Sequence, residues 1–132
     1  MDNPDLSVES AGAGTPAPVY SIPMRCVPKE RPRRVTKNGK TWTYMNTSYV
    51  TWKKDFAASL RAQAPILLAG NLSLTATISI PDNRRGDLDN MIGSILDAAQ
   101  GILFTNDKQF TELHLRFRKG PPLIILELQC VT

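Results

Sequence analysis

The sequence predicts a small single α+β domain with a mostly antiparallel or mixed sheet and two helices. Residues 72–80 and 110–119 alternate apolar and polar side chains, as half-buried strands do. Two other segments, one ending near residue 63 and one spanning 87–100, repeat apolar residues at intervals of three and four, which indicates helices. The predicted order is strand, basic loop, helix, strand, helix, strand and strand, with the helices on one face of the sheet.

The first half of the chain is expected to form a strand, a hairpin and a helix. The strand is predicted for Val19 to Met24, and the hairpin turns at Asn38-Gly39. Candidates for the cap of the first helix are Asn46, Thr47 and Ser48. The apolar stripe of this helix is expected in the core or at a dimer interface; it consists of Tyr49, Trp52, Phe56 and Leu60.

The second half is expected to form a strand, a helix and two further strands. The strand at 72–80 should direct Leu72, Leu74, Ala76, Ile78 and Ile80 inward. The second helix should end at Gly101 and bury Leu88, Met91, Ile92, Ile95, Leu96 and Ala99. Within 110–119, Leu113, Leu115 and Phe117 should share one face. Residues 123–131 are apolar enough for a central strand.

Composition limits the class of protein. The 132 residues fit one domain, predicted for 18–132, after a small and polar segment, 1–17, that is expected to be a disordered tail. No apolar run is long enough to cross a membrane and no secretion signal opens the chain, so no membrane partner and a cytoplasmic location are expected. Cys26 and Cys130 are then expected to be reduced, and structural zinc is not expected.

Positive charge is concentrated in one segment. Residues 25–40 contain seven basic residues and one acid, which favours a polyanion such as nucleic acid as the partner. The expected phosphate contacts are Lys29, Arg31, Arg33 and Arg34. Trp42 or Tyr44 could stack on an unpaired base, although Trp42 is equally compatible with the core. The alternative is a solvated loop with buried aromatic residues. His114, beside Arg116 and Arg118, is expected to be solvated or to contact phosphate.

Carboxylates follow the strand at 72–80. Asp87 and Asp89 lie two residues apart at the predicted start of the second helix, within reach of one cation, and oxygen ligands suit Mg²⁺ or Mn²⁺. Arg84 and Arg85, just before them, could hold phosphate oxygens. Asp107 offers a third carboxylate from another loop. The alternative is that the first two aspartates only favour the positive end of the helix and that the third belongs to a turn.

Two stretches carry a resemblance to a known family. The run RRGDLDNMIGSILDAAQGILFTNDKQFTELHLR resembles the arginine-rich loop, D-x-D-N helix, L-D-A segment and D-x-Q turn of RusA-like Holliday junction resolvases. The run IPMRCVPKERPRRV resembles the strand and P-x-P-K-x-R-P-R segment of the same family. The resemblance covers residues 20 to 128 and implies a RusA-like α+β fold.

The resemblance also implies a function. Members are Mg²⁺-dependent endodeoxyribonucleases that resolve four-way DNA junctions as homodimers in DNA recombination and repair, and they are often carried by phages. Position by position, the family's metal-binding aspartates match Asp87, Asp89 and Asp107. Asn90 matches the asparagine after D-x-D. Asp97 matches the L-D-A aspartate and is interpreted as structural support, with a role at the metal as the alternative.

The sequence departs from the family at one position. The family commonly has a lysine four residues after its second aspartate, one helical turn on, where this chain has Gly93. Among the cations that could substitute, Lys29 is favoured as a catalytic residue, because it lies in the basic segment and matches a family lysine. The alternative function is a branched-DNA-binding module that has lost efficient cleavage. A third interpretation, a nuclease for flaps or single strands, differs only in substrate.

Overall fold

The computed structural model describes residues 17–83 and 86–131. The predicted disordered tail, residues 1–17, lies outside the described residues except for its last position. Arg84 and Arg85, predicted to contact phosphate, also lie outside them.

Within the described residues, six strands and two long helices follow the predicted order. Their bounds are β1 Val19–Ile22, β2 Arg33–Lys37, β3 Lys40–Tyr44, α1 Thr47–Arg61, β4 Leu72–Ile80, α2 Leu88–Ala99, β5 Phe110–Lys119 and β6 Leu123–Cys130. A short 3-10 helix, Asp107–Gln109, precedes β5. The predicted small α+β domain with two helices is therefore confirmed.

Four strands form one mixed sheet in the order β1-β6-β4-β5. β4 and β5 run parallel, whereas β6 is antiparallel to both β1 and β4. The predicted central position of β6 is confirmed, and β5 lies at an edge. β2 and β3 form a separate antiparallel hairpin, as the Asn38-Gly39 turn predicts.

The core lies between the helices and one face of the sheet. All five residues predicted to point inward from β4 are buried, and so are the four residues of the α1 stripe. Trp52 and Phe56 therefore belong to the core, so this stripe is not a dimer interface.

The α1 helix begins where the Asn46 side chain accepts a hydrogen bond from the Ser48 backbone N–H at 2.8 Å, as a helix cap does.

The buried face of α2 differs in part from the prediction. Met91, Ile95 and Ala99 are buried as expected, and Ile92 and Leu96 are half-buried. Leu88 was expected inside but is 50% exposed, because the whole first turn of α2, residues 88–90, is exposed and burial begins at Met91. Small residues, Ser94 and Ala98, occupy buried positions instead.

The two cysteines are not bonded to each other, as expected. Cys130 is exposed, whereas Cys26 is buried. Burial raises the pKa of the Cys26 thiol to about 11, despite an opposing hydrogen bond with Ser94, so this thiol stays protonated at neutral pH.

Among the described residues, no helix is both long and apolar enough to cross a membrane.

Two leucines test the position of the core with the same substitution. Leu60 is fully buried at the end of α1, and Leu67 is 52% exposed in the following loop. Leu60→Ala should lower the free energy of unfolding by about 2–5 kcal/mol, because it removes buried apolar surface and leaves a cavity. Leu67→Ala should change it by less than about 0.5 kcal/mol. Urea denaturation measures both; equal losses would contradict this assignment of the core.

Candidate active site

Two carboxylates lie at the start of α2. Asp87 is the residue that precedes the helix, and Asp89 belongs to its first turn; both are exposed. Within the described chain the Asp87 side chain makes no capping hydrogen bond. Its oxygens are therefore not used to begin the helix, which argues against a role in capping alone and leaves them available to a cation.

The aspartate pair suits a hard divalent cation in ligand type but is incomplete as a site. Carboxylate oxygens are the ligands that Mg²⁺ prefers, and Mg²⁺ often uses one or two of them together with water and substrate phosphate. Among the described residues, no group of three or more histidine, cysteine, aspartate or glutamate side chains is placed to hold a metal ion. The pair therefore fits a metal that also binds oxygens from elsewhere.

Asp107 lies at the other end of the sheet from this pair. It opens the 3-10 helix just before β5, and the neighbouring Gln109 side chain donates to the carbonyls of Leu68 and Gly70, which precede β4. Because β4 and β5 are parallel, Asp107 lies where these strands begin, whereas Asp87 follows the end of β4. The 12 residues of α2, which span about 18 Å, separate the two places.

The basic loop is attached to the start of α2. The backbone N–H of Lys29 donates to the carbonyl of Asn90 at 2.8 Å. Gly86 permits this approach, because a Cβ there would lie only 3.3 Å from Pro28 and 3.1 Å from the Met91 sulfur. A backbone contact thus brings the segment 25–40 beside the two aspartates.

The Lys29 side chain lies over Gly93. A Cβ built on Gly93 would be 3.4 Å from the Lys29 Cδ and 3.6 Å from its Cβ, which is ordinary contact distance. The aliphatic part of Lys29 therefore covers the helix position where the family lysine is missing. The positive charge of Lys29 also lowers the pKa of Asp97, which lies one turn further along α2.

Asp97 joins the two helices. It accepts hydrogen bonds from the Tyr49 hydroxyl at 2.9 Å and from the Lys53 ammonium at 3.1 Å, both on α1. Burial alone would raise the pKa of the Asp97 carboxyl, but these two hydrogen bonds, with the charges of Lys53 and Lys29, outweigh it and hold that pKa below its ordinary value of 3.8. Burial and the Asp97 carboxylate raise the pKa of Tyr49, which keeps its hydroxyl protonated as a donor. Tyr49 and Lys53 were not predicted as a pair with Asp97; their four-residue spacing on one helix face was the available signal.

The predicted DNA contacts in the basic loop and β2 are exposed. Lys29 and Arg31 lie in irregular backbone, and Arg33 and Arg34 follow in β2. Because successive strand residues point to opposite faces, Arg33 and Arg34 lie on different sides of the hairpin. His114 is exposed, and its Nε2 lies 3.4 Å from Oε1 of Glu112, which is consistent with a solvated side chain.

The geometry and a family comparison agree on the class of protein. An exposed aspartate pair beside a basic loop, on a small α+β domain, is an arrangement suited to nucleic-acid chemistry. The family model for the endodeoxyribonuclease RusA matches residues 23–129, and the chain belongs to this family of endodeoxyribonucleases. No curated protein matches the chain.

Asp97 generates a pH-dependent prediction. Because its pKa is depressed in the folded state, the stability it contributes is present above pH 3.8 and is lost as the pH falls through the folded pKa. Asp97→Asn should therefore lower the free energy of unfolding at pH 7 by roughly 1 kcal/mol, a value limited by the partial exposure of the pair. The deficit should shrink below about pH 4. Thermal unfolding from pH 7 to pH 3 measures it, with exposed Asp55→Asn as control; a deficit that is the same at every pH would contradict the ion pair.

Proposed function

We propose that this protein is a metal-dependent, structure-selective DNA endonuclease that resolves Holliday junctions in DNA recombination and repair, acting in the cytoplasm. The observation that carries the proposal is the exposed aspartate pair at the start of α2, where Asp87 makes no capping hydrogen bond, next to Lys29 in a chain of the RusA family. The ligands are Asp87 and Asp89 with Asp107, and the ion is Mg²⁺, with Mn²⁺ able to replace it. DNA phosphates contact Lys29, Arg31, Arg33, Arg34, Arg84 and Arg85.

Each group has a separate task in phosphodiester hydrolysis. The aspartates would hold a Mg²⁺ ion, whose chemistry there would be to polarise a phosphoryl oxygen and to make a water molecule more acidic. The aspartates hold the ion and, when it is absent, repel the DNA backbone. Lys29 supplies positive charge where the attacked phosphate gains negative charge, and the arginines hold the backbone in register.

The carboxylates provide the direct test. Asp87→Asn, Asp89→Asn and Asp107→Asn should each abolish cleavage of a labelled four-way junction in Mg²⁺, because each removes a charged ligand. Binding in EDTA should be unchanged or tighter, because each change removes a negative charge near phosphate. Gel assays of cleavage and binding measure the two effects separately.

Asp55→Asn is the matched control for these variants, because Asp55 is exposed on α1 and remote in sequence from the predicted ligands. It should cleave like the native protein. Full activity of any of the three ligand variants would show that the substituted residue is not a metal ligand.

The separation of Asp107 from the aspartate pair supports a site shared between two subunits. A two-fold dimer could bring Asp107 of one copy to Asp87 and Asp89 of the other, and it would also provide the two active sites that paired incisions need. The apolar stripe of α1 cannot form the interface because it is buried in the core. The homodimer proposed here therefore uses another surface.

Mixing two inactive variants tests the shared site. In a dimer that contains one Asp87→Asn and one Asp107→Asn subunit, a shared arrangement puts both defects in one site and leaves the other intact. Random co-assembly should then restore about a quarter of the native sites, measured as nicking of the junction. If each site used one subunit only, every site would carry a defect and no nicking would return.

The proposed catalytic role of Lys29 can be tested by removing its ammonium group and placing a new one on α2. Lys29→Ala should lower the cleavage rate at saturating DNA by about 100-fold, the usual effect of removing one charge-stabilising donor. Combining it with Gly93→Lys should restore much of the rate, because the new side chain would rise from the surface that Lys29 covers. Lys54→Ala, on the exposed side of α1, is the control and should keep the native rate. An unchanged rate in Lys29→Ala would show that Lys29 is not the substitute.

A second candidate function is a branched-DNA-binding module that has lost efficient cleavage. Gly93 is the observation that favours it, because the position cannot supply the family lysine. If Gly93→Lys in the native background raises the cleavage rate well above that of the native protein, the chain is a catalytically weakened member. The aspartates favour the nuclease, since carboxylates beside DNA repel phosphate unless a cation lies between them.

A further inference from the structure

The hairpin of β2 and β3 stands apart from the four-stranded sheet. In the described chain its strands pair only with each other, and nine of their ten residues are exposed. Its turn places Asn38 and Gly39 at positive φ angles of 53° and 75°, as tight hairpin turns require. A hairpin that contributes nothing to the core adds little to stability, which points to a role in binding.

Both aromatic rings of the hairpin lie on one face. Trp42 pairs with Val35 across the strands, and Tyr44 pairs with Arg33 in the same register. Directly paired residues share a face, and so do alternate residues of one strand. Trp42 and Tyr44 are each 47% exposed, so Trp42 is not a core residue. One exposed ring is ordinary, whereas two neighbouring rings on one face form a stacking platform.

Cations surround this platform. Residues 33–44 contain four basic side chains and no acid. Lys37 and Lys40 pair at the tip, on the same face as the rings. Rings combined with cations suit a nucleotide whose base has no stacking neighbour, because the base offers a flat ring and the phosphate a negative charge. Continuous duplex offers the phosphates, but its base faces are covered by adjacent pairs.

We propose that Trp42 and Tyr44 stack on bases that have lost a stacking neighbour at the branch point of DNA, and that this contact makes binding selective for branched over continuous DNA. The inference rests on the DNA binding of the proposed function. Alternate residues of a strand are about 6.8 Å apart, twice the spacing of about 3.4 Å between successive nucleotides. Rings attached at 42 and 44 therefore match the gap that one intervening base requires.

The platform is joined through the chain to the candidate active site and to α1. Lys29, which is bonded to Asn90, shortly precedes β2, and Asn46, which caps α1, shortly follows β3. Tyr44 lies at the root of the hairpin, while Lys40 and its partner Lys37 lie at the tip, four residues or about 14 Å further out. A base stacked at the root would leave neighbouring phosphates near α2 and others near the tip.

The test uses the full chain in EDTA, with 2-aminopurine placed at the branch point of a synthetic four-way junction. Stacking on an indole quenches this base, so the native protein should give lower fluorescence than Trp42→Ala. Anisotropy should show that Trp42→Ala weakens junction binding by roughly 10-fold and duplex binding by less than about 2-fold. Trp42→Phe should keep most of the selectivity. Thr43→Ala, on the other face of the same strand, is the matched control and should behave as native.

Three outcomes would overturn the inference. Equal weakening of junction and duplex binding would show that the face recognises phosphates or a groove only. Quenching that persists in both Trp42→Ala and Tyr44→Ala would show that the rings do not touch the base. A shift of the monomer–dimer equilibrium in these variants, with quenching retained, would make the face a contact between copies of this chain. Cleavage in Mg²⁺ is measured separately. Quenching without cleavage would support base stacking and contradict the proposed nuclease activity. Cleavage without Trp42-dependent quenching would support the nuclease activity and contradict base stacking.

Discussion

The hydrogen bond from the Lys29 N–H to the Asn90 carbonyl determines how the parts of this protein meet. It attaches a loop with strong positive charge to the first turn of a helix that begins with two carboxylates. The approach of Pro28 is helped by Gly86, where a Cβ would be crowded. The Lys29 side chain lies over Gly93, at ordinary contact distance from the place that a Cβ would occupy. Positive and negative groups that are distant in sequence thus meet at one edge of the domain.

The opposite charges at this edge are the reason that we propose a bound cation there. Aspartates beside a surface that binds phosphate would repel the DNA backbone, and the divalent ion that we propose would convert this repulsion into attraction. The same reasoning makes the second helix important as a spacer. Because α2 lies between Asp107 and the aspartate pair, one subunit holds two of the three proposed ligands together, and the homodimer that we propose would supply the third.

Local patterns predicted most of the fold and only part of the site. Alternation in β4, the Asn38-Gly39 turn and the Asn46 cap are determined by neighbouring residues, and each was found as predicted. The exposure of Leu88 and Trp42 depends on what lies opposite them in space, which periodicity does not report. The Tyr49–Lys53–Asp97 cluster depends on how two helices pack, and the distance of Asp107 from Asp87 depends on a parallel strand pair. The position of Lys29 over Gly93 agrees with a substitute chosen from the sequence, although its role in catalysis stays a prediction.

The most direct measurement is cleavage of three end-labelled DNAs of matched sequence, a four-way junction, a continuous duplex and a flap, each with Mg²⁺ or EDTA. We predict paired, symmetric incisions in the junction that require Mg²⁺, with little cutting of the duplex or the flap. Equal cutting of all three DNAs would remove the structural selectivity. Incision that persists in EDTA would contradict the metal at Asp87 and Asp89, and tight junction binding without any incision in Mg²⁺ would leave a binding module in place of the nuclease.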